Sequence, residues 1–131
     1  MRPFVLVIDD DMVSQFATKY VVSQCAQDAL IYMCDNGEDA LLELSQLLNS
    51  GEGFPDVIFL DLVMPGMGGW EFIEEFQKIP GLPKKTKIYI LSAFTSSKDR
   101  NKAKNNSYIA GFFDKPITRN IVNSIFPSCM L

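Results

Sequence analysis

The segment that decides the fold is Phe4-Val5-Leu6-Val7-Ile8-Asp9-Asp10-Asp11, in which five apolar residues run directly into three aspartates. A short and continuous apolar run is typical of a strand that is buried on both faces, as in a parallel sheet. Similar runs follow at residues 30–33, 57–60, 88–91 and 108–113. The sequence therefore predicts five strands.

Segments with the apolar spacing of a helix lie between these runs. The residues that set the spacing are Phe16, Tyr20 and Val21, then Ala40, Leu41, Leu44, Leu47 and Leu48, then Trp70, Phe72, Ile73 and Phe76. Asn36 and Thr118 are predicted to cap the second and the last helix. A fourth helix over the lysine-rich residues 96–106 has little apolar stripe. Strict alternation of strand and helix predicts an α/β fold with a doubly wound five-stranded parallel sheet of order 2-1-3-4-5, flavodoxin-like, with helices on both faces.

Length and composition narrow the possible functions. With 131 residues, 47% of them hydrophobic, the chain suits one domain over residues 1–131. The net charge of -4 argues against nucleic-acid binding. The first apolar run is too short for a signal peptide or a membrane span, and the three cysteines form no CxxC pair, so we expect a cytoplasmic protein with no membrane partner. Because the chain has no histidine, a Ser-His-Asp triad and a His-ligated metal are excluded.

Carboxylates collect where the topology predicts a ligand-binding crevice. Asp9 and Asp10 follow the first strand and Asp61 follows the third, so all three meet at the switch point of the sheet. Two such charges about 4 Å apart cost roughly 4 kcal/mol at an effective dielectric of 20, which favours a bound cation. Magnesium prefers this kind of oxygen site. The alternative is that the aspartates only cap the first helix, a role that suits Asp11 best.

A lysine and a hydroxyl are predicted at the same edge of the sheet. The fifth strand leads into Lys115 and the fourth ends at Ser92. Asp61 can then attack a phosphoryl donor while the ammonium and hydroxyl groups bind the phosphoryl oxygens. Residues 66–69 follow the third strand without the lysine and hydroxyl of a phosphate-binding loop, so no nucleotide or other organic cofactor is predicted.

Four segments, in this order and at this spacing, resemble the response regulator receiver family. They are Val7-Ile8-Asp9-Asp10-Asp11, Leu60-Asp61-Leu62-Val63-Met64-Pro65-Gly66-Met67, Leu91-Ser92-Ala93 and Phe113-Asp114-Lys115-Pro116-Ile117. The resemblance covers nearly the whole chain. It implies a phosphorelay protein of two-component signalling that accepts a phosphoryl group on Asp61 from a histidine kinase or a histidine phosphotransfer protein. It implies no enzyme in the usual sense, but a phosphoprotein that assists its own phosphorylation and dephosphorylation.

The resemblance also implies a role for each site residue. Magnesium would be bound by Asp10, by Asp61, by the backbone carbonyl of Val63, and by Asp9 directly or through water. Lys115 and Ser92 would contact the phosphoryl group, and the Lys115-Pro116 bond would be cis. Ser92 and Phe112 would form the switch that changes the face of strand 4, helix 4 and strand 5. The alternative for Phe112 is a purely structural place in the core.

Some positions depart from the family pattern. Phe112 stands where a tyrosine is frequent, and Gly68 replaces an aspartate after the Met-Pro turn. Val63 and Phe94 occupy the two positions whose side chains flank the acyl phosphate in receivers. Because both are apolar and cannot orient a water by hydrogen bonding, we expect slow self-dephosphorylation.

Three other functions match the sequence less well. A haloacid-dehalogenase-type phosphatase needs a second aspartate where Val63 stands. A flavin carrier needs a Ser, Thr and Gly-rich first loop, whereas three aspartates would repel its phosphate. A degenerate receiver, acting as a phosphorylation-independent interaction module, is the remaining alternative. Residues 118–131 leave room for one short helix, so output is expected through an unknown protein target, from a monomer or a weak phosphorylation-linked dimer.

Overall fold

The computed structural model describes residues 2–83, 85–93 and 96–126. Strands and helices alternate along the chain, as predicted. In chain order the elements are β1 (Phe4–Ile8), α1 (Met12–Cys25), β2 (Leu30–Cys34), α2 (Gly37–Ser50), β3 (Val57–Leu60), α3 (Gly69–Gln77), β4 (Lys87–Ser92), α4 (Ser97–Lys104), β5 (Ile109–Asp114) and α5 (Arg119–Ile125).

The strands form one parallel sheet of order β2-β1-β3-β4-β5, which confirms the predicted fold class. The chain order reverses between β1 and β3, where Ile8 lies opposite Leu60. The backbone N–H of Asp61 donates to the carbonyl of Ile8 at 3.0 Å. The residues that follow β1 and β3 are therefore neighbours at the carboxyl edge of the sheet.

Two apolar clusters cover the two faces of the sheet, which confirms helices on both sides. One cluster joins Leu6 and Ile8 to residues of α2 and α3, including Leu44 and Phe72. The other joins Val5 and Val7 of β1 to residues of α1 and α5. The central strands β1 and β3 are almost fully buried, whereas the edge strands β2 and β5 are mostly half-buried. Burial on both faces therefore applies to the centre of the sheet rather than to its edges.

Helix α1 forms where the apolar spacing predicts a helix, but two of the residues that set this spacing face solvent. Phe16 and Tyr20 are 53% and 60% exposed. The buried residues of this helix are Gln15, Thr18 and Val22. Gln15 can be buried because its side-chain amide donates to the carbonyl of Asp9 and to the carboxylate of Asp35, and these contacts are invisible to apolar periodicity.

Both predicted helix caps are confirmed. The side chain of Asn36 accepts a hydrogen bond from the N–H of Asp39 at 2.7 Å, and that of Thr118 accepts from Ile121 at 3.3 Å. Each satisfies a backbone donor that the first turn of a helix leaves without an internal partner. Within the described ranges, no helix is long and apolar enough to cross a membrane.

Helix α4 is shorter than its predicted range and buries one residue, Ala103. Its composition explains this, because the other seven residues are polar or charged. Cys25 and Cys34 are free thiols. Phe94 and Cys129 lie outside the described residues.

Candidate functional site

Three carboxylates meet at the carboxyl edge of β1 and β3, as the topology predicts. One oxygen from each of Asp9, Asp10 and Asp61 lies within 4.8 Å of the other two. Asp9 is 3% exposed and Asp61 is 8% exposed, whereas Asp10 faces solvent. The arrangement is an acidic cleft with a buried floor and an open side.

Lys115 reaches this cleft from the far end of β5. Its ammonium nitrogen lies 2.8 Å from Oδ2 of Asp9 and 3.1 Å from Oδ2 of Asp61. Its backbone N–H donates to the carbonyl of Ser92 at 2.9 Å, which ties the end of β5 to the end of β4. The Lys115-Pro116 bond is cis, as expected. The lysine therefore bridges the two buried carboxylates across the intervening strand.

Asp61 and Lys115 both have shifted pKa values. Burial raises the pKa of Asp61 above its ordinary value of 3.8, the hydrogen bond and charge of Lys115 counteract this only in part, and the charge of Asp9 adds to the rise. Burial alone would lower the pKa of Lys115, but its hydrogen bonds to Asp9 and Asp61 outweigh that effect and raise it above 10.5. The cleft thus holds a firmly protonated lysine beside a carboxylate whose ionisation costs free energy.

Asp9 is held by several donors. Its Oδ1 accepts from the N–H of Asp11 at 3.0 Å, and its Oδ2 accepts from the hydroxyl of Ser14 at 2.6 Å. Asp11 caps α1, since its Oδ1 accepts from the N–H of Val13 at 3.0 Å. Helix capping therefore accounts for Asp11, whereas the side chains of Asp9 and Asp10 belong to the carboxylate cluster.

The residues of the cleft fit a magnesium ion. Magnesium takes octahedral oxygen ligands at about 2.0–2.1 Å and is usually held by one or two carboxylates together with waters and phosphate oxygens. Asp10 and Asp61 offer such oxygens, and Asp9 offers another. For Val63, whose carbonyl was predicted as a further ligand, the structure shows that its N–H donates to Oδ1 of Asp61 at 3.3 Å. The carbonyl ligand stays a prediction.

The predicted switch residues lie on the neighbouring strands β4 and β5. Ser92 is the last residue of β4 and is buried. Phe112 is a half-buried residue of β5 that packs against the core, and the guanidinium of Arg100 lies 5.0 Å from the centre of its ring. Phe112 therefore contacts both the core and helix α4.

Ser14 and Gln15 were missed by the sequence reasoning. Gln15 is buried and donates to the carbonyl of Asp9 at 2.5 Å and to Oδ1 of Asp35 at 2.7 Å. The hydroxyl of Ser14 donates to the carboxylate of Asp9. The available signal was the pair of polar residues at positions 14 and 15, between the apolar Val13 and Phe16, but the apolar spacing of Phe16 and Tyr20 concealed it.

Fold and site together define a class: a flavodoxin-like α/β protein with an acidic cleft and a lysine at the switch point of its sheet. The sequence profile of the response regulator receiver domain matches residues 5–125. The chain therefore belongs to the response regulator receiver domain family. It is a receiver domain of two-component signalling.

Individual relatives agree with this membership. A two-component response regulator from Cytophaga hutchinsonii superposes with a TM-score of 0.89 at 27% identity, covering 98% of this chain and 97% of that one. A response regulator from Legionella pneumophila has the same fold, with a TM-score of 0.78 at 24% identity, and the match covers 98% of both chains.

Matches by sequence alone cover less. The sensory transduction protein LytT of Bacillus cereus is 33% identical over 79 residues, which are 60% of this chain and 30% of that protein. The nitrate/nitrite response regulator protein NarL of Escherichia coli K12 is 32% identical over 74 residues, 56% of this chain and 32% of that protein. The match thus spans about a third of the length of these relatives.

Proposed function

We propose that residues 1–131 form a single phosphorelay receiver that accepts a phosphoryl group on Asp61 from a histidine kinase or a histidine phosphotransfer protein, with magnesium as its cofactor. The observation that carries the proposal is the position of Asp61: a buried carboxylate 3.1 Å from the Lys115 ammonium and within 4.8 Å of oxygens of Asp9 and Asp10. A nucleophile, a phosphoryl-binding cation and a metal-ligand set thereby share one small cleft.

The transfer can be written for the residues present. A carboxylate oxygen of Asp61 attacks the phosphorus of a phosphohistidine, the new O–P bond forms as the P–N bond breaks, and the released imidazole nitrogen takes up a proton from solvent. The ammonium of Lys115 then moves from the Asp61 oxygen to a phosphoryl oxygen, where the negative charge now lies, and the hydroxyl of Ser92 binds another phosphoryl oxygen. Magnesium, when bound by Asp9, Asp10, Asp61 and the Val63 carbonyl, supplies positive charge to the phosphoryl oxygens.

The surface around the cleft supports a protein as phosphoryl donor. Met12, Val13 and Phe16 of α1 are exposed, as is Val63 beside Asp61. Exposed apolar side chains grouped around a site are typical of protein contacts. Because α1 starts at the cleft itself, a donor that places its phosphohistidine over Asp61 would cover this apolar rim.

Signal output is proposed to pass through the face of β4, α4 and β5. A phosphoryl group on Asp61 would draw the Ser92 hydroxyl towards it and allow Phe112 to turn inward. Arg100 would follow, because its guanidinium lies over the Phe112 ring and 3.0 Å from the carboxylate of Asp114. We propose that this altered face binds a downstream protein in the cytoplasm, with the receiver acting as a monomer or a weak phosphorylation-linked dimer.

The phosphorylated state is proposed to be long-lived. The Val63 side chain is 66% exposed next to Asp61 and carries no group that could orient a water. Phe94, the second flanking position, lies outside the described residues. In a Val63→Asn, Phe94→Glu double variant, loss of phosphate measured by mass spectrometry should be faster than in the parent. An equal or slower loss would contradict this part of the proposal.

The function is tested by intact mass spectrometry after incubation with acetyl phosphate and magnesium. We expect a gain of one phosphoryl group that disappears with a chelator or in an Asp61→Asn variant. The matched control is Asp28→Asn, which removes an exposed carboxylate away from the cleft. If the parent is not labelled by acetyl phosphate or by a phosphorylated histidine phosphotransfer protein, the chain is better described as a phosphorylation-independent interaction module.

A further inference from the structure

Asp9 carries a hydrogen bond that the proposed chemistry does not itself require. The hydroxyl of Ser14, in the first turn of α1, donates to Asp9 Oδ2 at 2.6 Å. The same oxygen lies 2.8 Å from the ammonium nitrogen of Lys115, and the other oxygen accepts from the N–H of Asp11. Two donors, one neutral and one charged, therefore share a single oxygen of a buried carboxylate.

The orientation of Ser14 differs from that of two other helical serines, Ser50 and Ser124. The hydroxyls of Ser50 and Ser124 donate to the carbonyl three residues earlier, at 3.0 Å and 2.6 Å. This local bond is a common arrangement of a serine within a helix. Ser14 instead turns back past the helix start to the carboxylate at the end of β1.

The shared oxygen matters because Lys115 has two roles. In the resting cleft it bridges Asp9 and Asp61. When a phosphoryl group arrives on Asp61, the proposed mechanism draws the ammonium towards it and away from Asp9. A carboxylate that is 3% exposed would then lose its strongest partner, and a buried charge without a partner is costly.

We propose that Ser14 is a positioning residue that keeps the Asp9 carboxylate in its magnesium-binding orientation and releases Lys115 to serve the phosphoryl group. This inference rests on the proposed function and deepens it. The hydroxyl stays on Oδ2 whether or not Lys115 is there. Asp9 therefore remains hydrogen-bonded and oriented throughout the transfer.

Because Gln15 holds the backbone at the end of β1, the effect of Ser14 on the Asp9 side chain can be tested without disturbing the fold there. The amide of Gln15 holds the main-chain carbonyl of Asp9 and the carboxylate of Asp35, so the end of β1 is tied to the end of β2 without Ser14. Removing the Ser14 hydroxyl should therefore free the Asp9 side chain and leave the backbone in place. The expected effect is on metal binding rather than on folding.

The experiment is a calorimetric titration of the unphosphorylated protein with magnesium. Loss of a group that orients a metal ligand typically weakens binding by 10–100-fold, so we expect about a tenfold weaker Kd for Ser14→Ala. Ser14→Thr, which keeps a hydroxyl, should bind within about threefold of the parent. Ser124→Ala is the matched control, because it removes a serine hydrogen bond of the same 2.6 Å length far from the carboxylates.

A second readout separates positioning from a merely structural role. The rate of labelling by acetyl phosphate should fall in Ser14→Ala at low magnesium and return towards that of the parent as magnesium is raised. Equal magnesium affinity in Ser14→Ala and the parent would overturn the inference. It would also be overturned if Ser14→Thr bound magnesium as weakly as Ser14→Ala while both variants kept the thermal stability of the parent. A parent that binds no magnesium and is not labelled would instead overturn the proposed function, and this inference with it.

Discussion

The acidic cleft lies at the carboxyl edge of the sheet and helix α4 packs against β5, and the two regions are held by different kinds of interaction. In the cleft, Asp9 and Asp61 are buried and share Lys115 at 2.8 Å and 3.1 Å. Helix α4 buries only Ala103 and is attached through charged side chains on its surface.

The contacts of α4 are on both of its flanks. Towards α3, the ammonium of Lys102 lies 4.5 Å from the centre of the Trp70 ring, and the indole N–H donates to Asp99 at 3.0 Å. Towards β5, Arg100 lies over Phe112 and pairs with Asp114. Contacts of this kind at an exposed surface are each worth about 1 kcal/mol or less.

The difference between the two regions matches the different tasks proposed for them, phosphoryl transfer in the cleft and signal output at α4. A phosphoryl-transfer site needs groups held in a fixed geometry, and buried, charge-assisted hydrogen bonds provide that. A surface that changes with phosphorylation needs an element whose alternative positions differ little in free energy. We therefore expect changes in the cleft to have large effects and changes at α4 to have small ones.

The largest expected effect follows from Asp61→Asn, which should abolish phosphoryl labelling while raising the free energy of unfolding by about 1 kcal/mol in the presence of chelator. Because the pKa of Asp61 is raised in the folded protein, its ionisation opposes folding. This cost is fully present above the raised pKa and disappears below the ordinary value of 3.8, so the advantage of the variant should shrink as pH falls.

The measurement for Asp61→Asn is urea denaturation at neutral and acidic pH, with Asp28→Asn as the control. A variant that is less stable than the parent at neutral pH would contradict the assigned cost of the buried charge. Such a result would show that the ion pair with Lys115 stabilises the folded protein by more than burial of the Asp61 carboxylate costs.

Replacing the shared cation tests how the two carboxylates are held together. Lys115→Ala should lower the free energy of unfolding by about 2 kcal/mol without magnesium, because two buried carboxylates are left facing each other. Saturating magnesium should recover much of this loss, since an ion bound only by the folded state stabilises it. Thermal melting with and without magnesium measures both effects, and a loss that magnesium leaves unchanged would count against a cation site.

The apolar rim of α1 should matter to a protein donor but not to a small one. Phe16→Glu places a charge in the exposed patch next to the cleft and should slow transfer from a histidine phosphotransfer protein about tenfold or more. Labelling by acetyl phosphate should stay the same, and stability should change by less than about 0.5 kcal/mol. Leu42→Glu on the exposed side of α2 is the control. Equal slowing with both donors would show that Phe16 acts on the chemistry instead.

The smallest effects are expected at α4. Arg100→Ala and Lys102→Ala should each lower the free energy of unfolding by about 0.5 kcal/mol and leave the rate of labelling unchanged. The fluorescence of Trp70, the single tryptophan of the chain, reports on the attachment of this helix. A loss above about 2 kcal/mol in either variant would show that α4 is held as firmly as the cleft.

The sequence was sufficient for the fold because its signals repeat along the chain. Five apolar runs separated by helical segments leave few topologies for a parallel sheet, and short right-handed crossovers select the order that the structure shows. The sequence did not indicate which face of α1 is buried. Phe16 and Tyr20 have helical spacing but are exposed, whereas Gln15 is buried and makes polar contacts to Asp9 and Asp35.

For the site, the sequence by itself determined which residues gather at the sheet edge, since Asp9, Asp61, Ser92 and Lys115 each follow or end a strand whose place the topology sets. Only the tertiary structure decided how they are paired. That Lys115 bridges Asp9 and Asp61, that Ser14 shares an oxygen of Asp9, and that Arg100 covers Phe112 are contacts between side chains of distant elements. Apolar periodicity indicates which segments are strands or helices and which residues are buried. Such pairings depend instead on side-chain atoms of different elements lying within a few ångströms of each other, which the sequence pattern does not specify.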